Sequence, residues 1–268
     1  MNVGELERAL FEAFPARDAE PWDRVGLSVG DPDAEVAGVA CALDATVASL
    51  DEAVRRGANV LVTHHPVYLS APDRFCPAAP GRPSSSATVF EAARRGVGII
   101  SMHTNLDRSC AARTLLPRLM GLTAGTSLEW AEEPERTGIG GICETDPITV
   151  KELALRAQEA FATCAQAWGR PDALVRRIAF VGGSLGDFGE LVLEHGCDAV
   201  VTGELGYHRA QDLALRGLSV VLLGHDRIEQ PFCRILADAT AHAGVAQDRI
   251  HIISLPQQWW APSQGGHA

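Results

Sequence analysis

The sequence contains no CxxC pair. Its seven cysteines (Cys41, Cys76, Cys110, Cys143, Cys164, Cys197 and Cys233) are scattered and odd in number, which argues against a disulfide framework or a cysteine zinc finger. No apolar stretch approaches the roughly 18 to 20 residues needed to cross a bilayer, so no membrane partner is expected. No lysine or arginine run offsets the formal net charge of -11; such a surface repels a polyanion, and nucleic acid is a poor partner. A single nucleotide is still admissible, because a bound metal or a nest of backbone amides holds phosphate against the overall charge. The opening MNVGELERALFEAF carries three glutamates and an amphipathic spacing where a secretory signal has a basic and then an apolar region; a cytoplasmic protein is expected.

The hydrophobic content of 46% and charged content of 21% are ordinary for a water-soluble globule, and 268 residues suit one large domain or two compact halves. Apolar runs rich in valine and isoleucine alternate with segments of helical spacing, the pattern of βαβ units and mostly parallel sheets. These runs predict strands over 35–43, 58–63, 97–102, 177–182, 198–203, 219–224 and 250–254. Helices fit the intervening TVASLDEAVRR, ATVFEAARR, GELVLEHG, YHRAQDLALR and FCRILADATAHA, several ending at glycine as left-handed caps prefer. Thr149 with Glu152 reads as a capping box opening a further helix through Phe161.

Two stretches break this rhythm. Residues 71–86 are dense in proline, glycine and serine and read as a long surface loop, while AEEPERTGIGG (131–141) has the composition of a junction between halves. GIGGI (138–142) reads as a strand in close backbone packing. The expected fold class is α/β: two α/β domains with mostly parallel sheets and a metal site in the crevice between them. An N-terminal half, 1–130, carries THHP and HTNLD; a C-terminal half, 131–268, carries TGE and GHDRIE.

The polar residues gather at strand ends. His64 and His65 follow the run ending at residue 63, His103 follows 97–102, and His225 follows 219–224. In open parallel sheets such positions face the ligand crevice. Asp107 lies four residues beyond His103, and Glu229 four beyond His225, so one helical turn aligns each pair. Taken singly, a strand-end histidine has an ordinary structural use, and Asp107 or Glu229 would serve as a helix-end charge. Adjacent histidines fit that reading less well, because successive strand residues point to opposite faces unless the backbone bends. Together these positions offer six nitrogen and oxygen donors. One tetrahedral ion needs about four, whereas six donors with two bridging carboxylates suit two ions roughly 3.5 to 4 Å apart. Imidazole and carboxylate accept Zn, Fe, Mn, Co or Ni, so the expected cofactor is two divalent metal ions per chain of unspecified identity.

THHP (63–66), HTNLD (103–107), TGE (202–204) and GHDRIE (224–229), in this order and spacing, resemble the Nif-three-like dinuclear metal-centre family, whose members are often catalogued as type 2 homologues of GTP cyclohydrolase I. DRVGLSVGD (23–31) and VGGSLG (181–186) extend the likeness over nearly the whole chain. The resemblance implies two α/β domains, a toroidal homohexamer, and two divalent ions per subunit held by His64, His65, Asp107, His225 and Glu229, with His103 an additional ligand or an outer partner. It departs from the family where RSCAART follows HTNLD in place of a glycine and asparagine segment, and where TGELGYH replaces a second histidine pair.

Two divalent ions activate water for hydrolysis near neutral pH. The expected function is therefore a metal-dependent hydrolase similar to type 2 GTP cyclohydrolase I, acting on a small molecule with nucleotides among the candidates. Glu204 and His208 are the candidate groups for proton transfer or substrate positioning. Gly182, Gly183 and Ser184 form an incomplete glycine-rich pattern for phosphate or substrate contact. Cys110 reads either as a soft metal ligand or as a small hydrophobe. Two other functions use the same donors: a non-catalytic metal-binding protein for storage, delivery or sensing, or a scaffold; and a metal-dependent nucleotide phosphoesterase.

Overall fold

The computed structural model describes residues 1–133, 135–254 and 259. Pro134 of the expected junction, and residues 255–258 and 260–268 of the expected C-terminal half, lie outside the described residues. The chain runs α1 (Val3–Ala13), β1 (Gly26–Val29), β2 (Val39–Ala42), α2 (Val47–Arg55), β3 (Val60–Thr63), α3 (Ser84–Arg95), β4 (Gly98–Ser101), α4 (Thr104–Asp107) and α5 (Cys110–Leu119). It continues β5 (Gly141–Thr149), α6 (Val150–Ala160), β6 (Gln166–Trp168), β7 (Leu174–Phe180), α7 (Phe188–Glu194), β8 (Ala199–Thr202), α8 (Tyr207–Leu215), β9 (Ser219–Leu222), α9 (His225–Glu229), α10 (Phe232–His242) and β10 (Ile250–Ile252).

Local chemistry sets many of the element ends. Asn2 and Glu5 close a reciprocal capping box at 2.8 and 2.9 Å, and Val3, Leu6 and Leu10 then make the buried stripe of α1. Thr149 caps α6 by accepting from the Glu152 amide at 3.1 Å. The predicted strand over 35–43 shortens to β2 because the Asn59 side chain takes the Ala37 amide (2.8 Å) and the Glu35 carbonyl (2.8 Å) that a ladder would have used. The loop expected over 71–86 ends early, at Pro83: α3 begins at Ser84, and Ser86 ties back to the Arg74 carbonyl at 2.6 Å.

The first sheet has the order β1-β4-β3-β2-β10, parallel from β4 to β10, with β1 antiparallel at its edge. The second has the order β5-β7-β8-β9-β6, three parallel central strands between antiparallel edges β5 and β6. The architecture is thus the expected α/β one with mostly parallel sheets. The strand succession does not split cleanly at 130/131, because β10, from the far end of the chain, pairs with β2.

Residue parity sorts the core, as a period of two requires. Val39, Cys41, Val60, Val62 and Ile100 share one contiguous core with Ile178, Phe180, Val201 and Val221 of the second sheet and with residues of α1, α5, α6 and α10. Ala40, Ala42, Leu61 and Ile99 face the other way, toward α2 and α3. Ala179, Val200 and Val220 likewise face α7 and α8. A common core holds the two sheets in one relative position. Replacing Ile100, fully buried in it, by alanine is predicted to cost about 2–5 kcal/mol in urea unfolding. Leu215→Ala, at a side chain 82% exposed, is predicted to stay within about 0.5 kcal/mol.

Candidate metal centre

The parallel strands of both sheets run out toward one cleft. Asp44 lies just past β2, His64 and His65 follow β3, and His103 and Asp107 stand at the two ends of α4, beyond β4. Glu204 lies just past β8, and α9 carries His225 and Glu229 one turn apart. The adjacent histidines converge because the backbone bends as it leaves β3. Thr63 Oγ1 turns back to donate to the His65 carbonyl at 2.8 Å, and the two rings end with centroids 5.1 Å apart and planes at 42°.

Each imidazole is anchored through Nδ1. His64 donates to the Met102 carbonyl at 3.0 Å, His65 to Asp44 at 2.8 Å, His103 to Asp23 at 2.9 Å and His225 to Glu204 at 3.1 Å. Carbonyls and carboxylates only accept, so Nδ1 carries the hydrogen and Nε2 is left as the ligand atom, the arrangement that orients metal-binding histidines. Glu229, 3% exposed, stands among them. Its Oε1 lies 3.6 Å from His64 Nε2, and its Oε2 lies 2.9 Å from His65 Nε2 and 3.1 Å from His225 Nε2. Three overlapping triads result, with ligand atoms within 4.8 Å of one another: His64, His65 and His103; His65, His225 and Glu229; His64, Asp107 and Glu229.

Two details show that this set fits a cation. His64 Nε2 and Asp107 Oδ1 are buried and make no hydrogen bond, although they stand only 3.6 Å apart. Leaving two such atoms unpaired is unfavourable, and one ion would satisfy both. Ligand atoms about 2.1 Å from a shared tetrahedral ion are about 3.4 Å apart, close to the spacing here. His64, His65, Asp107, His225 and Glu229 can hold metal in this way, with His103 beside them.

The electrostatics agree. Burial works against protonated His65, but its hydrogen bonds to Asp44 and Glu229 outweigh burial and push its pKa up to about 10. The hydrogen bond to Glu229 is the main influence lifting His225 to about 9. Burial also opposes the Glu229 carboxylate, yet the imidazoles of His64, His225 and His65 hold it well below its ordinary range. Burial pushes the Asp107 carboxyl up. Asp23, despite burial, is held low by His103 and Thr104. Without metal, protons occupy positions that a cation would take.

A cavity of about 910 Å³ opens on this cluster, and a second, about 650 Å³, reaches His65 and His225 past Asp44, Glu204 and Trp259. Gly182 and Ser184 line the larger one. Gly183 has φ of +55°, and a Cβ there would collide with the Glu229 carboxylate and crowd His225 Nε2 at 3.1 Å. Close approach to the cluster therefore explains that glycine. Glu204 is exposed and touches His225. His208 is not brought to the cluster: it is exposed on α8 with its ring against Tyr207 at 5.3 Å. Cys110 is exposed at the start of α5, and its sulfur receives a contact from Arg113 at 3.6 Å.

Asp23 and Asp44 escaped sequence reasoning as histidine partners. Neither stands at a helical spacing from its partner; their places before β1 and after β2 were the only available signal.

The Duf34/NIF3 (NGG1p interacting factor 3) family profile matches residues 1–257. A Streptomyces coelicolor protein named GTP cyclohydrolase 1 type 2 homolog is 34% identical over 248 residues, covering 87% of this chain and 84% of that protein. A Clostridium acetobutylicum protein of the same name is 28% identical, covering 86% of each. Among solved structures, a Bacillus cereus protein related to NIF3 superposes with a TM-score of 0.86 at 19% identity, over 97% of this chain and 99% of that one. A Staphylococcus aureus hypothetical protein gives 0.85 at 21% identity, again over 97% and 99%. At these identities the superpositions speak to the fold.

A proton must leave His65 and His225 before a cation takes their Nε2 atoms. Apparent metal affinity is therefore predicted to rise with pH, by up to about tenfold per unit for each displaced proton. It should level off near the raised values of about 9 and about 10. The same shifts stabilise the metal-free fold fully below the unfolded value of 6.5, and that stabilisation is lost as pH rises through about 9 to 10. Calorimetric titration in buffers of different ionisation enthalpy reads the released protons. Asp44→Asn, which weakens the acceptor behind His65, should lower affinity by about 10–100-fold.

Proposed function

The chain belongs to the Duf34/NIF3 family, and from that premise and the geometry of the cluster we propose that it is a dinuclear metal-dependent hydrolase similar to type 2 GTP cyclohydrolase I. One observation carries the reading: the two oxygens of Glu229 face different neighbours, Oε1 toward His64 and Oε2 toward His65 and His225. A carboxylate so placed would help hold two ions, one together with His64 and Asp107, the other with His65 and His225. The chemistry such divalent ions would supply there is Lewis acidity and activation of water for attack on a substrate bond.

The remaining work falls to the chain. Asp23, Asp44, Glu204 and the Met102 carbonyl fix the histidine tautomers, so the ligand atoms are preorganised. Glu204, exposed beside His225, is the carboxylate with solvent access for proton transfer. The larger cavity is the substrate's place, since His65, His103, Asp107 and Glu229 form one end of it. We place the protein in the cytoplasm as a toroidal homohexamer. Large apolar side chains left exposed on α6 and β7 (Leu155 and Leu174) support self-association.

Elemental analysis after native purification is predicted to find two divalent ions per chain, and light scattering six times the 28.5 kDa chain mass. His65→Ala and Glu229→Ala are each predicted to abolish metal-dependent turnover on a panel including GTP and model phosphoesters. Metal retained at two per chain with no turnover on that panel would favour storage, delivery or sensing instead.

A further inference from the structure

We infer that the larger cavity takes a small, uncharged, largely apolar ring system, with its one hydrolysable bond at the histidine and carboxylate end, and does not take a nucleoside triphosphate. The inference rests on the hydrolase reading for the chemistry, but its evidence is the wall away from the cluster. Leu116 of α5, Ile139, Phe188 and Leu191 of α7, and Phe232 of α10 supply that wall, and Trp22, 54% exposed, stands at the cavity beside His103 with ring centroids 6.0 Å apart. A volume of about 910 Å³ holds a molecule of two or three rings, and an aromatic edge at the mouth suits a flat one.

The charges point the same way. Triphosphate sites use lysine, arginine and amide nests to answer several negative charges. Among the residues lining this cavity only Arg113 is an arginine, and its guanidinium donates to the Arg136 carbonyl at 3.2 Å. The one lysine of the sequence, Lys151, is not part of the lining. Arg108, which follows HTNLD, is committed to Glu129 at 2.8 and 3.0 Å, to Glu20 at 2.5 Å and to the Asp18 carbonyl at 2.8 Å. Away from the cluster the charged lining residues include Glu20 and Asp187, which are paired with Arg108 and Arg209 and offer phosphate no donor. Burying a polyanion against apolar walls and carboxylates is costly, whereas a neutral ring gains by leaving water. Hydrolysis of such a substrate adds one water across a C–N or C–O bond: the oxygen bonds to carbon, one hydrogen goes to the departing nitrogen or oxygen, and no redox partner is needed.

Equilibrium dialysis of the full chain, metal-loaded and chelator-treated, against 2-naphthol and against GTP tests this directly. 2-Naphthol is predicted to bind both forms within about twofold of each other, and the metal-free form at least about tenfold more tightly than GTP does. Leu191→Arg should weaken 2-naphthol binding by about tenfold or more with metal content kept, while Leu191→Met retains it. GTP binding to metal-free protein as tightly as 2-naphthol, or an arginine at 191 without effect in a folded protein, would overturn the inference. If the arginine variant does not fold, the wild-type comparison decides alone. 2-Naphthyl acetate separates the two levels: 2-naphthol binding as predicted without metal-dependent ester turnover supports the cavity assignment and counts against the hydrolase reading.

Discussion

A carboxylate buried among three imidazoles from two different sheets is the constraint on which the structure turns. Glu229 is 3% exposed, and its charge is costly to keep there unless positive charge answers it from close by. His64 and His65 come from the end of β3 and His225 from the turn after β9, so the answer exists only when the two sheets meet with their strand ends facing. The common core behind the cluster, from Val62 and Ile100 to Phe180 and Val221, supplies that registry from apolar packing. β10 reinforces it by carrying the last described strand of the chain back to β2.

Around that carboxylate the protein spends other carboxylates and a backbone carbonyl on orientation. Asp23, Asp44 and Glu204 each hold an Nδ1, which leaves the Nε2 atoms as ligands and surrounds them with negative charge. In metal-free form the result is raised histidine pKa values and a buried nitrogen and oxygen without partners. Both conditions are relieved when a cation replaces the protons. The apolar cavity beside this highly charged centre then makes chemical sense: polarity is concentrated where a bond would be attacked, and the remainder of the space recognises shape.

Much of this was legible in sequence because it is local. Valine-rich runs marked the parallel strands, and the i, i+4 spacing of His225 and Glu229 matches the single turn of α9. The adjacent histidines needed a backbone bend, and Thr63 provides it. What escaped was long-range. Asp44 and Asp23 meet His65 and His103 across 21 and 80 residues, and no periodicity encodes such meetings. β1 and β6 are antiparallel edge strands whose GLSV and QAW carry no valine- or isoleucine-rich run to mark them, and the pairing of β10 with β2 is a matter of topology. His208 looked functional from its place after TGE, but α8 carries its side chain to an exposed surface against Tyr207.

The central claim is that Glu229 lies between two cations. Anomalous diffraction from crystals grown with a single divalent metal, recorded on both sides of its absorption edge, tests this most directly. The account predicts two peaks flanking the carboxylate, one shared with His64 and Asp107 and the other with His65 and His225. A single peak, or peaks away from Glu229, would contradict it.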